Sequence, residues 1–122
     1  MSAILHLTRV DDYNSLPADA PYVPRDFERE GFIHCTFGGD LMLTIANTYY
    51  RESPGEYQVL ILDEARIAAP VKWERTGSTL FPHIYGPLNH DAVIDVVAVL
   101  RAPDGEFVGY ARALDERETG PV

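Results

Sequence analysis

Two short stretches repeat one pattern of reactive side chains: His6-Leu7-Thr8 and His34-Cys35-Thr36 each read His-x-Thr. Residues two apart on a strand share a face, so each stretch sets an imidazole beside a hydroxyl. An imidazole takes or gives a proton near neutral pH and a hydroxyl both donates and accepts, which is the equipment of a site that orients a polar ligand. A second group lies in Leu80-Phe81-Pro82-His83-Ile84-Tyr85-Gly86-Pro87-Leu88, where His83 and Tyr85 share a parity inside a proline-bounded segment. Glu74 follows Trp73. An indole that screened Glu74 from water would raise its pKa and suit it to general acid or base work, whereas pairing with Lys72 or Arg75 would leave it a surface carboxylate. Plainer readings stand beside these: the two histidine faces can be solvated surface, and His83 and Tyr85 can close a core. Cys35, although next to His34, points to the opposite side of the strand and reads as a small core residue rather than a nucleophile.

Other chemistries find less support. His6, His34, His83 and His90 supply enough imidazoles for a metal, but the chain has no His-x-His, HExxH or Cys-x-x-Cys, so no metal is expected. Gly38-Gly39 lacks the following Lys-Ser or Lys-Thr of a phosphate loop, and the G-x-S-x-G elbow of serine hydrolases is absent. Nineteen Asp plus Glu against ten Lys plus Arg give a net charge of −9, which repels nucleic acid and anionic lipid and favours a small-molecule ligand.

The elements that must position these groups follow from periodicity. Alternation predicts strands at 3–8 and 31–37, and residues 11–16 suit a short helix stopped by Pro17. Pro17, Pro21 and Pro24 make 17–27 a surface loop. Leu41, Met42, Ile45, Ala46, Tyr49 and Tyr50 recur at helical spacing behind Asp40, predicting a helix over 40–52 with Asp40 as N-cap. Strands are expected at 57–62 and 71–74, with a turn or single helical turn between them. The glycines and prolines of 75–89 leave room only for a short strand at 83–85. Ala92–Leu100 is β-branched on both parities and reads as a central strand buried on both faces, and Pro103-Asp104-Gly105 turns the chain into a last strand at 106–110. Strands outnumber helices without regular alternation, so the fold class is α+β.

The chain's 122 residues, 46% hydrophobic and 24% charged, make one domain over 1–112, with 113–122 expected to be an acidic, frayed tail. The lone Cys35 forms no intramolecular disulfide, the first twenty residues have neither a basic start nor a long apolar run, and no stretch reaches the ~18 apolar residues of a bilayer span. A cytoplasmic setting is expected.

Taken together, ILHLT, EGFIHCT after a proline-rich loop, an amphipathic helix, LILDEARIAAPVKWE and LFPHIYGPL resemble a small bacterial domain-of-unknown-function family, numbered nine-five-two, across residues 4–100. That family is similar in fold to ADP-ribosyltransferases, which implies a split, curved, mostly antiparallel β structure with one short and one longer helix and a cleft for NAD. The two histidine strands look most like those of RNA 2′-phosphotransferases, whose H-G-T strand matches His6-x-Thr8 and whose V-H-L-S strand matches His34-x-Thr36. The resemblance then implies that His6 hydrogen-bonds the NAD ribose or nicotinamide amide, while His34 and Thr36 border the nicotinamide and its ribose. No motif assigns Glu74, His83 or Tyr85, which are left for the remaining roles. The candidate set is His34, Glu74 and His83 for catalysis, and His6, Thr8, Thr36 and Tyr85 for holding NAD. Leu7 stands where the phosphotransferases have Gly, the E-x-E pair of mono-ADP-ribosyltransferases is missing, and the arginines that meet RNA phosphate have no counterpart. The expected activity is transfer or hydrolysis at an NAD or ADP-ribose-type nucleotide. The alternatives are a non-enzymatic metabolite- or nucleotide-binding module, a histidine-based metal hydrolase, and an interaction protein using Tyr49-Tyr50 or the tail.

Overall fold

The computed structural model describes residues 3–119. The alternating start forms β1 (Ala3–Arg9), and one helical turn, α1 (Val10–Asn14), follows it. The proline-rich loop leads to α2 (Phe27–Glu30), which Gly31 closes at φ 84°, a left-handed conformation that side chains disfavour. Next come β2 (Ile33–His34), α3 (Gly39–Tyr49) and β3 (Tyr57–Asp63), then a single 3₁₀ turn at Glu64–Arg66. A hairpin of β4 (Val71–Thr76) and β5 (Thr79–Ile84) precedes β6 (Val93–Arg101), β7 (Phe107–Tyr110) and a helical turn, α4 (Glu116–Thr119).

The strands form two antiparallel sheets, one ordered β1-β3-β6-β7 and one ordered β2-β5-β4. They meet where Leu5 and Thr36 exchange both backbone hydrogen bonds at 2.8 Å. The result is a mixed helix and strand domain built on a curled, antiparallel β surface. No helix among the described residues is long and apolar enough to cross a membrane.

All seven residues of β3 are buried, because its alternate side chains feed two different cores. Val59 and Ile61 join Leu5 of β1, Val97 and Val99 of β6 and Phe107 under Met42 and Ala46 of α3. Leu60 and Leu62 join Ile4, Ile33, Cys35, Ile84, Leu88 and Tyr22 of the proline-rich loop. Each such side chain contributes about 1.5–3 kcal/mol on burial. The strand covered on both faces is therefore β3 and not β6, whose Ile94, Val96 and Leu100 remain 37–47% exposed. The second sheet covers one side of β1 and β3 and stops short of β6.

Local chemistry accounts for other departures. Gly38, not Asp40, is the N-cap of α3; Asp40 lies in the first turn, where its charge still favours the helix dipole. The second histidine strand pairs only over Ile33–His34 and at Thr36. The strand expected at 83–85 instead runs over β5, with Gly77 at φ 63° making the turn from β4. Pro82 disguised it. The Pro82 carbonyl accepts from the Cys35 amide at 3.1 Å, but a proline has no N–H to return, so the β2–β5 ladder stops at the His34–His83 pair. In the tail expected to fray, Glu118 is 4% exposed and places both carboxylate oxygens on Arg112, at 2.8 and 2.9 Å. Residues 120–122 of that tail lie outside the described residues.

Candidate functional site

The outer face of the β2-β5-β4 sheet collects chemistry. His34 pairs with His83 across the first ladder and His83 with Lys72 across the second. Cross-strand partners share a face, as do residues two apart. His34, His83, Tyr85, Lys72 and Glu74 therefore stand together, with Phe32 beside them, while Ile33, Cys35 and Ile84 turn into the core. Phe32 lies flat on the His83 ring, with centroids 4.1 Å apart and planes 18° apart. The edge of His34 meets His83 at 5.3 Å. Lys72 Nζ sits 4.8 Å from the centre of the Tyr85 ring.

One carboxylate oxygen organises the group: Glu74 Oε1 accepts from the Tyr85 hydroxyl and from His83 Nδ1 at 2.8 Å. These two donors, the phenol foremost, hold the Glu74 carboxyl below the usual carboxylate range. The same bond raises the Tyr85 phenol. A Glu74 shielded by Trp73 and raised in pKa is thus ruled out. The Trp73 indole donates to Glu64 at 2.9 Å and meets the Phe37 ring instead, on the other side of the strand. With Nδ1–H fixed on the carboxylate, Nε2 of His83 is the basic nitrogen. It has no partner among the described residues and is not sealed from solvent. His34 is held in a like manner, its Nε2 on Glu30 at the end of α2. Two imidazoles in edge contact, each oriented by a carboxylate, can share the roles of base and acid in one proton transfer.

His6 and Thr8 stand elsewhere. Because Leu5 is the bridge partner of Thr36, the face that His6 occupies is that of Ile4 and Cys35, inside the second core. The ring is 5% exposed, and burial pushes it down to about 4, so it is neutral. Its Nδ1–H donates to the His34 carbonyl at 2.6 Å, and its Nε2 lies 2.8 Å from the Tyr22 hydroxyl, itself 3.1 Å from Thr8 Oγ1. The structure thus brings His34, Glu74, His83 and Tyr85 together and places His6 and Thr8 beneath them. Thr36, 4% exposed, lies at the junction of the sheets. A patch holding both His-x-Thr pairs is not formed, because antiparallel register and not sequence parity sets which residues face each other. Phe32, Glu30 and Tyr22 were not singled out from sequence, and Lys72 was named there only as a partner for Glu74. Phe32 shares the parity of His34, a signal that was there to use, whereas Tyr22 in an irregular loop gave none. Cys35 is buried and its thiol is pushed up, so it is inert.

Two surface hollows of about 390 and 400 Å³ share no residue with this group. In the first, Arg101 is held by the carbonyls of Arg51, Ser53 and Gly55, and Arg51 pairs with Asp104. In the second, Arg112 is held by Asp95 and Glu118. Their charges are already matched. Among the described residues, no three His, Cys, Asp or Glu side chains are arranged to hold a metal ion.

Fold and site together define an α+β domain that carries a carboxylate-held histidine pair on the open face of a curled antiparallel sheet. The chain belongs to the family described as protein of unknown function (DUF952), whose model matches residues 7–96. Its structure is similar to the X-ray structures of protein CC0527 from Caulobacter crescentus and of a double mutant of that protein. Each is 21% identical with a TM-score of 0.75, over 88% of this chain and 94% of that chain. This likeness is one of fold. No curated protein matches the chain.

Proposed function

We propose that the His34–His83 face binds a nucleotide of the NAD or ADP-ribose type, on an ADP-ribosyltransferase-like architecture, and catalyses its transfer or hydrolysis. The observation that carries this reading is the Tyr85–Glu74–His83 arrangement with His34 at 5.3 Å. In the reaction, the bond from ribose C1′ to the nicotinamide nitrogen breaks and its electron pair leaves with nicotinamide, which becomes neutral. Water or an acceptor hydroxyl bonds to C1′, and its proton passes to Nε2 of His83. Glu74 stabilises the imidazolium so formed, and the oriented pair reduces the cost of reaching the reactive geometry. Lys72, the only lysine, stands beside the group as a partner for the nucleotide's phosphates. A net charge of −9 favours a small acceptor over RNA.

A second reading, a binding module without turnover, is favoured by the exposure of the groups that flank the buried His83. The His34 and Glu74 side chains are 56% and 41% exposed, so water has access to this face. Calorimetric titration of NAD, ADP-ribose and nicotinamide into the wild type and His83→Ala, with product analysis of the same mixtures, decides between them. Binding that weakens in the variant, together with nicotinamide release, supports the enzyme. Binding without release supports the module, and no binding by the wild type removes NAD from both.

A further inference from the structure

We infer that His6 is a positioning residue for His34, acting through the β2 main chain and locked in turn by Tyr22 and Thr8. The inference rests on the His34–His83 face being the reactive surface. Leu5 and Thr36 exchange both backbone bonds at 2.8 Å. In an antiparallel ladder the next such exchange falls two residues on, between Leu7 and His34. Among the described residues that exchange is not made. The two sheets part at this point, and the His34 carbonyl accepts from His6 Nδ1–H at 2.6 Å. A side chain has taken the place of a ladder amide.

The tautomer of His6 is fixed by its chemistry. A carbonyl only accepts, so Nδ1 carries the hydrogen, and a neutral ring then offers Nε2 as acceptor. The Tyr22 hydroxyl lies 2.8 Å from Nε2 and 3.1 Å from Thr8 Oγ1, the two acceptors within reach of its one hydrogen, and Thr8 donates its own to the Arg9 carbonyl at 3.2 Å. On its other side β2 ends at the same residue, because Pro82 cannot extend the ladder past the His34–His83 pair. His34 is thus the last residue of the β5 ladder, past which a single bond from the Cys35 amide to the Pro82 carbonyl remains, and the first not paired to β1, and its carbonyl is held by one imidazole. A single connection supplies both grips on His34. Glu30 holds the ring, and Tyr22 holds the carbonyl through His6. Tyr22 is itself pinned by two backbone bonds to Leu88, both 2.9 Å.

The test is the imidazole ¹H–¹⁵N spectrum of the full chain without nucleotide, for the wild type, His6→Ala, His6→Asn and Tyr22→Phe. The amide nitrogen of Asn stands off Cγ where Nδ1 stands in His, so His6→Asn keeps a donor for the His34 carbonyl and gives up Tyr22. The His34 and His83 ring resonances are expected to move in His6→Ala and to return to their wild-type positions in His6→Asn, although the melting temperature falls in both. Wild-type resonances in His6→Ala, or equal displacement in the Ala and Asn variants, would overturn the inference. If His6→Ala does not fold, Tyr22→Phe frees Nε2 alone: displaced His34 resonances support the inference and unmoved ones overturn it. No nucleotide is in the sample, so a failure to bind NAD and a failure of positioning are read separately.

Discussion

A histidine whose Nδ1–H lies on a charged carboxylate is committed to one tautomer, and at His83 that commitment depends on Glu74. Glu74→Gln keeps the shape and removes the charge, and charged acceptors make hydrogen bonds about twice as strong as neutral ones. The variant is expected to show His83 as a mixture of tautomers in ¹⁵N imidazole spectra, where the wild type shows Nδ1–H alone. Nicotinamide release, if the enzyme reading holds, falls by roughly 10²- to 10⁴-fold. A single unchanged tautomer in the variant would show that Glu74 does not orient the ring. At this scale much of the group was legible. His83 and Tyr85 share a parity in the sequence, and His34 and Glu74 needed only the right pairing to join them. His6 and Thr8 were misplaced for one reason: whether Leu5 faces Thr36 or Cys35 is a fact of register, and sequence alternation is the same in both cases.

Among the elements, the β4–β5 hairpin carries Glu74, His83 and Lys72, so the turn that sets its register sets the site. Gly77 makes that turn at φ 63°, and a Cβ there would touch nothing within 4 Å. Gly77→Ala therefore has a purely conformational cost, about 1–2 kcal/mol, to be read as a lower urea midpoint with an unchanged slope. A loss several times larger would mean that the turn is packed by something else. Long periodic elements such as α3 and β1 were readable, because their patterns repeat over several residues. β5 was not, because a proline in a strand flanked on both sides argues against that assignment, and only the early end of β2 leaves its missing N–H without a partner to disappoint.

The molecule as a whole is made sensitive to acid by a buried, neutral histidine. His6 binds a proton at about 6.5 when unfolded and at about 4 when folded, where it is enclosed by Tyr22, Thr8 and the His34 carbonyl. The unfolded chain therefore takes up the proton first. Stability is complete above the higher value and falls as pH drops towards the lower, by on the order of 3 kcal/mol. Urea unfolding at pH 7 and pH 4.5 is expected to show this loss, and His6→Gln is expected to flatten it. An equal slope in the variant would assign the loss to carboxylates. The α+β class and the family pattern were visible in composition and motifs, but the division into two cores was not, since it depends on which strand the second sheet covers. That division also orders events in folding. β1 lies between the two cores and, beyond the Leu5–Thr36 bridge, pairs among the described residues with β3, Ala3 meeting Asp63 and Arg9 meeting Tyr57, so neither core closes until a chain segment of some fifty residues has looped back. Assembly is governed by that one long-range closure, and a nascent chain holds its first strand outside the larger sheet until β3 has been made.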